Sequence, residues 1–381
     1  MSVDPIRDIT QSRLTFKRDS TFHKELRRRV DDYFRSSDRS PRDCPAMYLK
    51  SAIILGAFIG FYSLLVFVAG SWWQALPLAV LLSLAMAAIG FNIEHDGSHH
   101  SYSNRPWINR LAAMTMDLIG ASSYVWHWKH VVVHHTYVNI TGHDADIDIA
   151  FFGRLTPHQK RFKLHRWQHF YLWPLYGLNV VKWNLYDDFR DVILGRIGST
   201  RMPRPKRLEL AGFVGGKALF LTLAFGLPLL VHPLWMVLLF YVLIAALAGV
   251  VVSVVFQLAH CVEEAEFPLP QESSGSMETA WAVHQVETTV DFARRSRVES
   301  WLLGGLNFQI EHHLFPRVCH VHYPAISKLV EEACRDFGVR YAEHTSFRAG
   351  LSSHFRWLRR MGARTTGVPQ LVVTPEYGPP E

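Results

Sequence analysis

The chain has 381 residues, 49% of them hydrophobic, with four cysteines and a formal net charge of +7. Its apolar content and slightly positive mean hydropathy are high for a water-soluble enzyme and are concentrated in four long runs, which argues against an ordinary soluble domain. The basic residues flank those runs and no RNA- or DNA-binding motif accompanies them, so no nucleic-acid partner is expected.

Residues 1–46 are polar and of mixed charge, lack a cleavable signal pattern, and are expected to form a partly helical cytoplasmic approach segment. The first two apolar runs, residues 47–70 and 72–93, are each long enough to cross a hydrocarbon core of about 30 Å. The turn between them, at Ser71, Trp72 and Trp73, carries no Lys or Arg. A long stretch from His95 to about Leu208 follows, too long for a connector. Its semi-apolar part, residues 111–124, is too short and broken to span. Its aromatic part, WQHFYLWPLYGLNVVKW (residues 167–183), suits a helix in the headgroup layer, with a core helix as the other reading. The third and fourth runs, residues 210–231 with one lysine, Lys217, and residues 233–258 with no charge, meet at His232-Pro233. The basic stretches KRDSTFHKELRRR and RMPRPKR precede the first and third runs. The positive-inside rule therefore puts the N-terminus, the middle stretch and the C-terminus in the cytoplasm. A second cytoplasmic block runs from Ala259 to about Ala363, and residues 364–381, rich in Pro, Gly and Thr, are expected to be disordered. The expected fold is an all-α integral membrane protein. Four transmembrane helices form two hairpins within a domain of residues 47–363, under a cytoplasmic helical cap. Cys44, Cys261, Cys319 and Cys334 show no CxxC spacing and are expected to be free thiols.

Histidine occurs 21 times, and eight histidines fall in three tight clusters on the expected cytoplasmic side: HDGSHH (His95, His99, His100), HVVVHH (His130, His134, His135) and QIEHH (His312, His313). His95 and His99 are four residues apart, as are His130 and His134, so on an α-helix each pair shares a face and points at one object. The adjacent pairs His134-His135 and His312-His313 each add a neighbour rotated by about 100°, able to reach a second object. A solvated face gains nothing from packed imidazoles, whereas neutral imidazole is the commonest side-chain metal ligand, accepted by iron and zinc. One zinc would need three or four ligands; seven or eight suit two ions. Neither the ExxH pairs of soluble diiron bundles nor HExxH occurs, which leaves a histidine-rich dimetal site. His100 follows His99 directly and stays open as a ligand.

These clusters resemble those of the membrane fatty acid desaturase family, which carries HxxxH, HxxxHH and (H/Q)xxHH boxes around a diiron centre. The surroundings WHWKHVVVHHTYVNI, DADIDI and GGLNFQIEHHLFP match as well, and the resemblance covers roughly residues 47–360. It implies His95, His99, His130, His134, His135, His312 and His313 as catalytic metal ligands for two iron ions. It also implies His260, in FQLAHCVEE at the end of the fourth run, as a further ligand. His284, in WAVHQVETT, is a weaker candidate. Gln309, opening the third box, marks the front-end subclass, which inserts a double bond between an existing one and the carboxyl end. A direct contact from Gln309 to iron is unfavourable, so it is expected to hydrogen-bond a water or a ligating imidazole. His143, His320 and His322 are read as lying outside the ligand set. Asp144, Asp146 and Asp148 either orient imidazole N–H groups or cap a turn.

Front-end relatives often carry a fused cytochrome b5 domain recognised by HPGG. No HPGG occurs here, so the resemblance implies a separate electron donor, a ferredoxin or a free cytochrome b5. Its activity would be cis-desaturation of an acyl chain carried on a lipid, CoA or acyl carrier protein, in a bacterial cell membrane, with the active site on the cytoplasmic face. Such chemistry needs an oxidant made from O2 on iron, because no side-chain acid or base removes hydrogen from an unactivated methylene. The basic residues Lys160, Arg161, Lys163 and the RMPRPKR run either hold a phosphate-bearing head group or are solvated loops near anionic lipid. The alternatives are a hydroxylase or ketolase using the same site and, from another class, a haem- or metal-binding membrane protein without catalysis.

Overall fold

The computed structural model describes residues 14–18, 21–271 and 273–363. The expectations for residues 364–381 and for the beginning of the N-terminal segment lie outside them. Helix α1 (Thr21–Ser37) is amphipathic: Phe22, Leu26 and Val30, four apart, form its buried stripe. Among the described residues, four helices are long and apolar enough to cross a membrane: α2 (Pro45–Phe67), α3 (Trp72–Ser98), α6 (Leu208–Leu229) and α7 (Leu234–His260). Between α3 and α6 lie α4 (residues 123–137) and the nearly continuous α5 (residues 168–194). After α7 come α8 (Trp281–Glu287), α9 (Gln309–Leu314), α10 (Tyr323–Phe337) and α11 (Phe347–Gly362).

The membrane-length helices lack an amphipathic stripe, and their outward faces leave Leu49, Ile53, Ile59, Trp73, Val214 and Leu238 exposed. An apolar solvent accepts such a surface, and an all-helical span satisfies its own backbone there. α3 packs against both α2 and α7, and α5 runs along α7. The contact between α5 and α7 depends on Gly249, where a Cβ would strike the carbonyls of Tyr176 and Gly177; small residues allow such close helix approach. The aromatic stretch 167–183 is thus a helix packed on α7. Lys217, the one lysine of the third run, is buried and satisfied by Asp188 at 2.7 Å and by the carbonyls of Gly120 and Asn184.

The cytoplasmic-side expectation of an all-α chain needs one correction: the protein is mostly helical, with three small two-stranded sheets among the described residues. Thr15–Lys17 pairs in parallel with Ser276–Ala280, Arg196–Ile197 antiparallel with Thr200–Arg201, and Asp291–Phe292 in parallel with Glu343–His344. Of these, Asp291–Phe292 is buried, where unpaired backbone N–H and C=O groups would be costly.

Two π-helical turns matter for the site. Gly90–Glu94 lies inside the end of α3 directly before His95, and His127–His134 makes up most of α4. A π-turn closes i to i+5 and is frequent at functional sites. Gly304, at φ +61, lets the segment before α9 sit on the first of these turns, because a Cβ there would collide with the Phe91 carbonyl.

Candidate metal centre

The end of α3, α4, the end of α7, and α9 converge. His95, His99, His130, His134, His135, His260, His312 and His313 are all buried, none more than 6% exposed. Their ring nitrogens fall into groups whose candidate ligand atoms lie within 4.8 Å of one another. One contains His95, His99, His130 and His312, a second His134, His260 and His313, and His135 joins His312 and His313 in a third. In the first group His95 Nε2 is 3.2 Å from His130 Nε2, and in the third His135 Nε2 is 2.9 Å from His312 Nε2. At such separations two nitrogens share one proton or one cation.

This arrangement corrects one expectation. His130 and His134 do not point at the same object: His130 joins the first group and His134 the second. The α-helical spacing rule fails here because the segment is a π-turn. The backbone N–H of His135 bonds the carbonyl of His130, five residues back, so the turn is wider and i, i+4 no longer superimposes.

The donor set suits metal. His99 Nε2, His130 Nδ1, His134 Nε2, His135 Nδ1, both ring nitrogens of His260 and His313 Nε2 are buried without a hydrogen-bond partner. Each such orphan costs about 1–3 kcal/mol, so seven in one cluster point to cations that would take up the lone pairs. Burial, reinforced by the neighbouring imidazoles, holds His99, His130, His135, His312 and His313 well below the ordinary imidazole value. They are therefore neutral, as ligands must be. His134 is the exception. Burial opposes its charge, but the Asp144 carboxylate outweighs it and raises the value.

Outer partners set the ring orientations. His134 Nδ1 donates to Asp144 Oδ2 at 3.0 Å, leaving Nε2 for the second group. Asp144 also accepts backbone N–H bonds from Asn139 and Asp146. Asp146 pairs with Lys129 at 3.0 Å, and Asp148 caps the turn at Ala150. His313 Nδ1 donates to Gln285 Oε1 at 2.8 Å, and His312 Nδ1 lies 3.3 Å from the Tyr323 hydroxyl. The Asn139 amide bonds the carbonyls of His260, Glu266 and Thr288, which fixes the end of α7. Gln285, Tyr323 and Asn139 escape sequence reasoning; only the position of Gln285 beside His284 in WAVHQVETT hinted at a role.

Other expected residues lie outside the groups. His284 donates from Nε2 to the Val138 carbonyl at 2.9 Å, and His100 is exposed in a left-handed conformation. His320 bridges Asp96 and Lys50, and His322 reaches Ser40 and Cys44. His143 is buried without a partner for either ring nitrogen. Gln309 is buried beside His260 and faces an apolar cavity. Arg161 and Lys163 share a surface groove with Arg166, Trp167 and Arg359.

This apolar cavity opens onto the first group. His95 and His130 line it together with Glu94, Phe91, Trp126, Trp183, Phe256 and Gln309. Trp126 stacks on His130 at 4.6 Å. Met86 and Ile119 also line a second apolar cavity between the membrane-length helices.

Comparison with known proteins agrees with this geometry. Residues 70–345 match the fatty acid desaturase family. The chain is 38% identical to the sn-1 linoleoyl-lipid 6-desaturase of Synechocystis sp., over 93% of this chain and 99% of that one. It is likewise 38% identical to the enzyme of the same name from Arthrospira platensis, over 96% and 99% of the two chains. The acyl-lipid (8-3)-desaturase of Physcomitrium patens is 38% identical over 90% of this chain and 72% of its own.

Proposed function

This chain belongs to the fatty acid desaturase family, and from that premise we propose that it is a front-end acyl-lipid desaturase. It would introduce a cis double bond into a chain that already carries one, between that bond and the carboxyl end. The observation that carries this reading is the junction of an imidazole cluster with an apolar cavity: His95 and His130 belong to both.

The eight buried histidines would hold two iron ions, His95, His99, His130 and His312 one, His134, His260 and His313 the other, with His135 between them. Bound iron supplies the activation of O2 that no side chain can provide. The protein's own residues do the rest. Asp144 and Gln285 keep the Nδ1 protons of His134 and His313 away from the metal side, so that the Nε2 lone pairs face inward. Trp126, Phe91, Trp183 and Phe256 exclude water from the cavity and hold a methylene chain against His95 and His130. The cavity reached past Met86 and Ile119 extends that apolar path toward the membrane helices. The names of the relatives favour a chain carried on a lipid over one on CoA or acyl carrier protein, and the basic groove at Arg161 and Lys163 suits a phosphate-bearing head group. We place the four membrane-length helices in two hairpins with the metal groups on the cytoplasmic face of a bacterial cell membrane. Electrons would come from a separate ferredoxin or cytochrome b5.

The test is expression in a host that lacks polyunsaturated lipids, with mass spectrometry of total lipids and iron analysis of the purified protein. The expected product has lost two hydrogens on the carboxyl side of an existing double bond, and the protein carries close to two irons per chain. A product that gains one oxygen would move the assignment to a hydroxylase; unchanged lipids with only zinc bound would end it.

A further inference from the structure

Away from the histidine groups, two cysteines meet, one of them, Cys319, gathered with Asp96 and His320 so that their candidate ligand atoms lie within 4.8 Å of one another. Cys44 caps the N-terminus of α2 and is half-buried; Cys319 is fully buried in the turn after α9. Both pack in one hydrophobic cluster, where the two thiols are close enough to interact. The backbone holds them there: the Cys319 N–H donates to the Pro41 carbonyl at 2.9 Å. The His322 imidazole lies 3.3 Å from the Cys44 sulfur, and Asp96 contacts Cys319. The other two cysteines, Cys261 and Cys334, are buried in separate hydrophobic clusters.

We propose that Cys44 and Cys319 are a peroxide-sensitive thiol pair that closes to a disulfide, pinning the start of α2 to the turn that follows the third histidine cluster. Three features support it. Cys44 is reachable from solvent, while Cys319 is sheltered, which suits an attacking and a resolving thiol. The neighbouring Cys319 thiol, then the His322 imidazole, lower the Cys44 thiol from its ordinary value against the effect of burial, which favours the nucleophilic thiolate form. On the reducing side of a membrane, disulfides that do form are transient or redox-sensing rather than structural.

The chemistry balances. The Cys44 thiolate attacks one oxygen of hydrogen peroxide; an S–O bond forms, the O–O bond breaks, and hydroxide leaves. The Cys319 sulfur then attacks the Cys44 sulfur; the S–S bond forms, the S–O bond breaks, and water leaves with the Cys319 proton. The two sulfurs together give up two electrons, and the peroxide takes them. Hydrogen peroxide is the two-electron reduction product of O2, the oxidant a desaturase consumes. The inference itself needs only the thiols and added peroxide, so it stands or falls apart from the desaturase reading.

The experiment uses the full chain in detergent, treated with hydrogen peroxide, blocked with N-ethylmaleimide after denaturation, and mapped by peptide mass. Two of the four thiols should become unavailable, in a linked peptide pair lighter by two hydrogens that dithiothreitol separates. Cys319→Ser should stop at a sulfenic acid on Cys44 that dimedone traps. If that variant does not fold, the wild-type map decides alone. Cys44 and Cys319 both alkylated after peroxide, or thiols that react only once a chelator is added, would overturn the proposal; the second result would mean that the pair holds a metal.

Discussion

The two halves of the metal centre are built differently. In the group of His134, His260 and His313, polar partners outside the cluster hold the rings: a carboxylate on His134, an amide on His313, and Asn139 on the backbone of His260. In the group of His95, His99, His130 and His312, the imidazoles lean mainly on one another, with the Tyr323 hydroxyl beside His312 and the Trp126 ring on His130. The first arrangement is sheltered and charge-supported; the second faces the apolar cavity. The carboxyl group on that cavity's lining, Glu94, accepts a hydrogen bond from Ser98; a buried charge left unpaired there would be costly. A site that only has to retain its ion gains from a carboxylate partner.

The strongest way to break this comparison is to remove one ligand from each side. His312→Ala and His313→Ala should each lower activity by more than about 100-fold, beyond the effect of losing an outer partner. Each should also retain less iron, measured by elemental analysis of protein that still inserts in the membrane. Full iron retention and turnover in either variant would remove that histidine from the ligand set. A smaller effect separates the two supports. Asp144→Asn should weaken metal retention by about 10–100-fold. Tyr323→Phe, which deletes a single long neutral hydrogen bond, should cost less than about tenfold. Equal losses, read from chelator competition, would contradict the asymmetry.

The smallest effect is in the metal-free protein. His99, His130, His135, His312 and His313 have folded values below the unfolded value near 6.5. Below that pH the unfolded chain binds more protons than the folded one, so their contribution is present above it and is lost on acidification. His134, raised by Asp144, runs the other way: its contribution is present below pH about 6.5 and is lost as pH rises through its folded value. The metal-free protein should therefore lose thermal stability below pH about 6.5, and Asp144→Asn should steepen that loss by removing the one opposing group. A thermal midpoint that rises on acidification would contradict the assignment of neutral rings.

Much of this was legible in the chain. Four apolar runs of membrane length, with only Lys50 and Lys217 as basic residues within them, announce themselves because a helix in lipid needs a largely apolar surface, and all four are helices of that length. Seven of the eight clustered imidazoles stood out by spacing, and His260 by resemblance. The orienting residues did not. Gln285, Tyr323 and Asn139 are single polar residues, and each acts on a partner distant in the sequence or on backbone carbonyls from several segments. No local pattern marks such a residue. The split of His130 from His134 was also invisible, since the letters HVVVHH read equally well on an α-turn and on a π-turn.

Composition and spacing thus determined the class of structure and the kind of donor atom, because hydrophobic length and residue chemistry are local properties. Only the packed chain decided which ring joins which group, which nitrogen carries the proton, and which group meets the cavity. Those outcomes depend on helical pitch and on contacts between segments far apart in the sequence, and only folding brings those segments within hydrogen-bond reach.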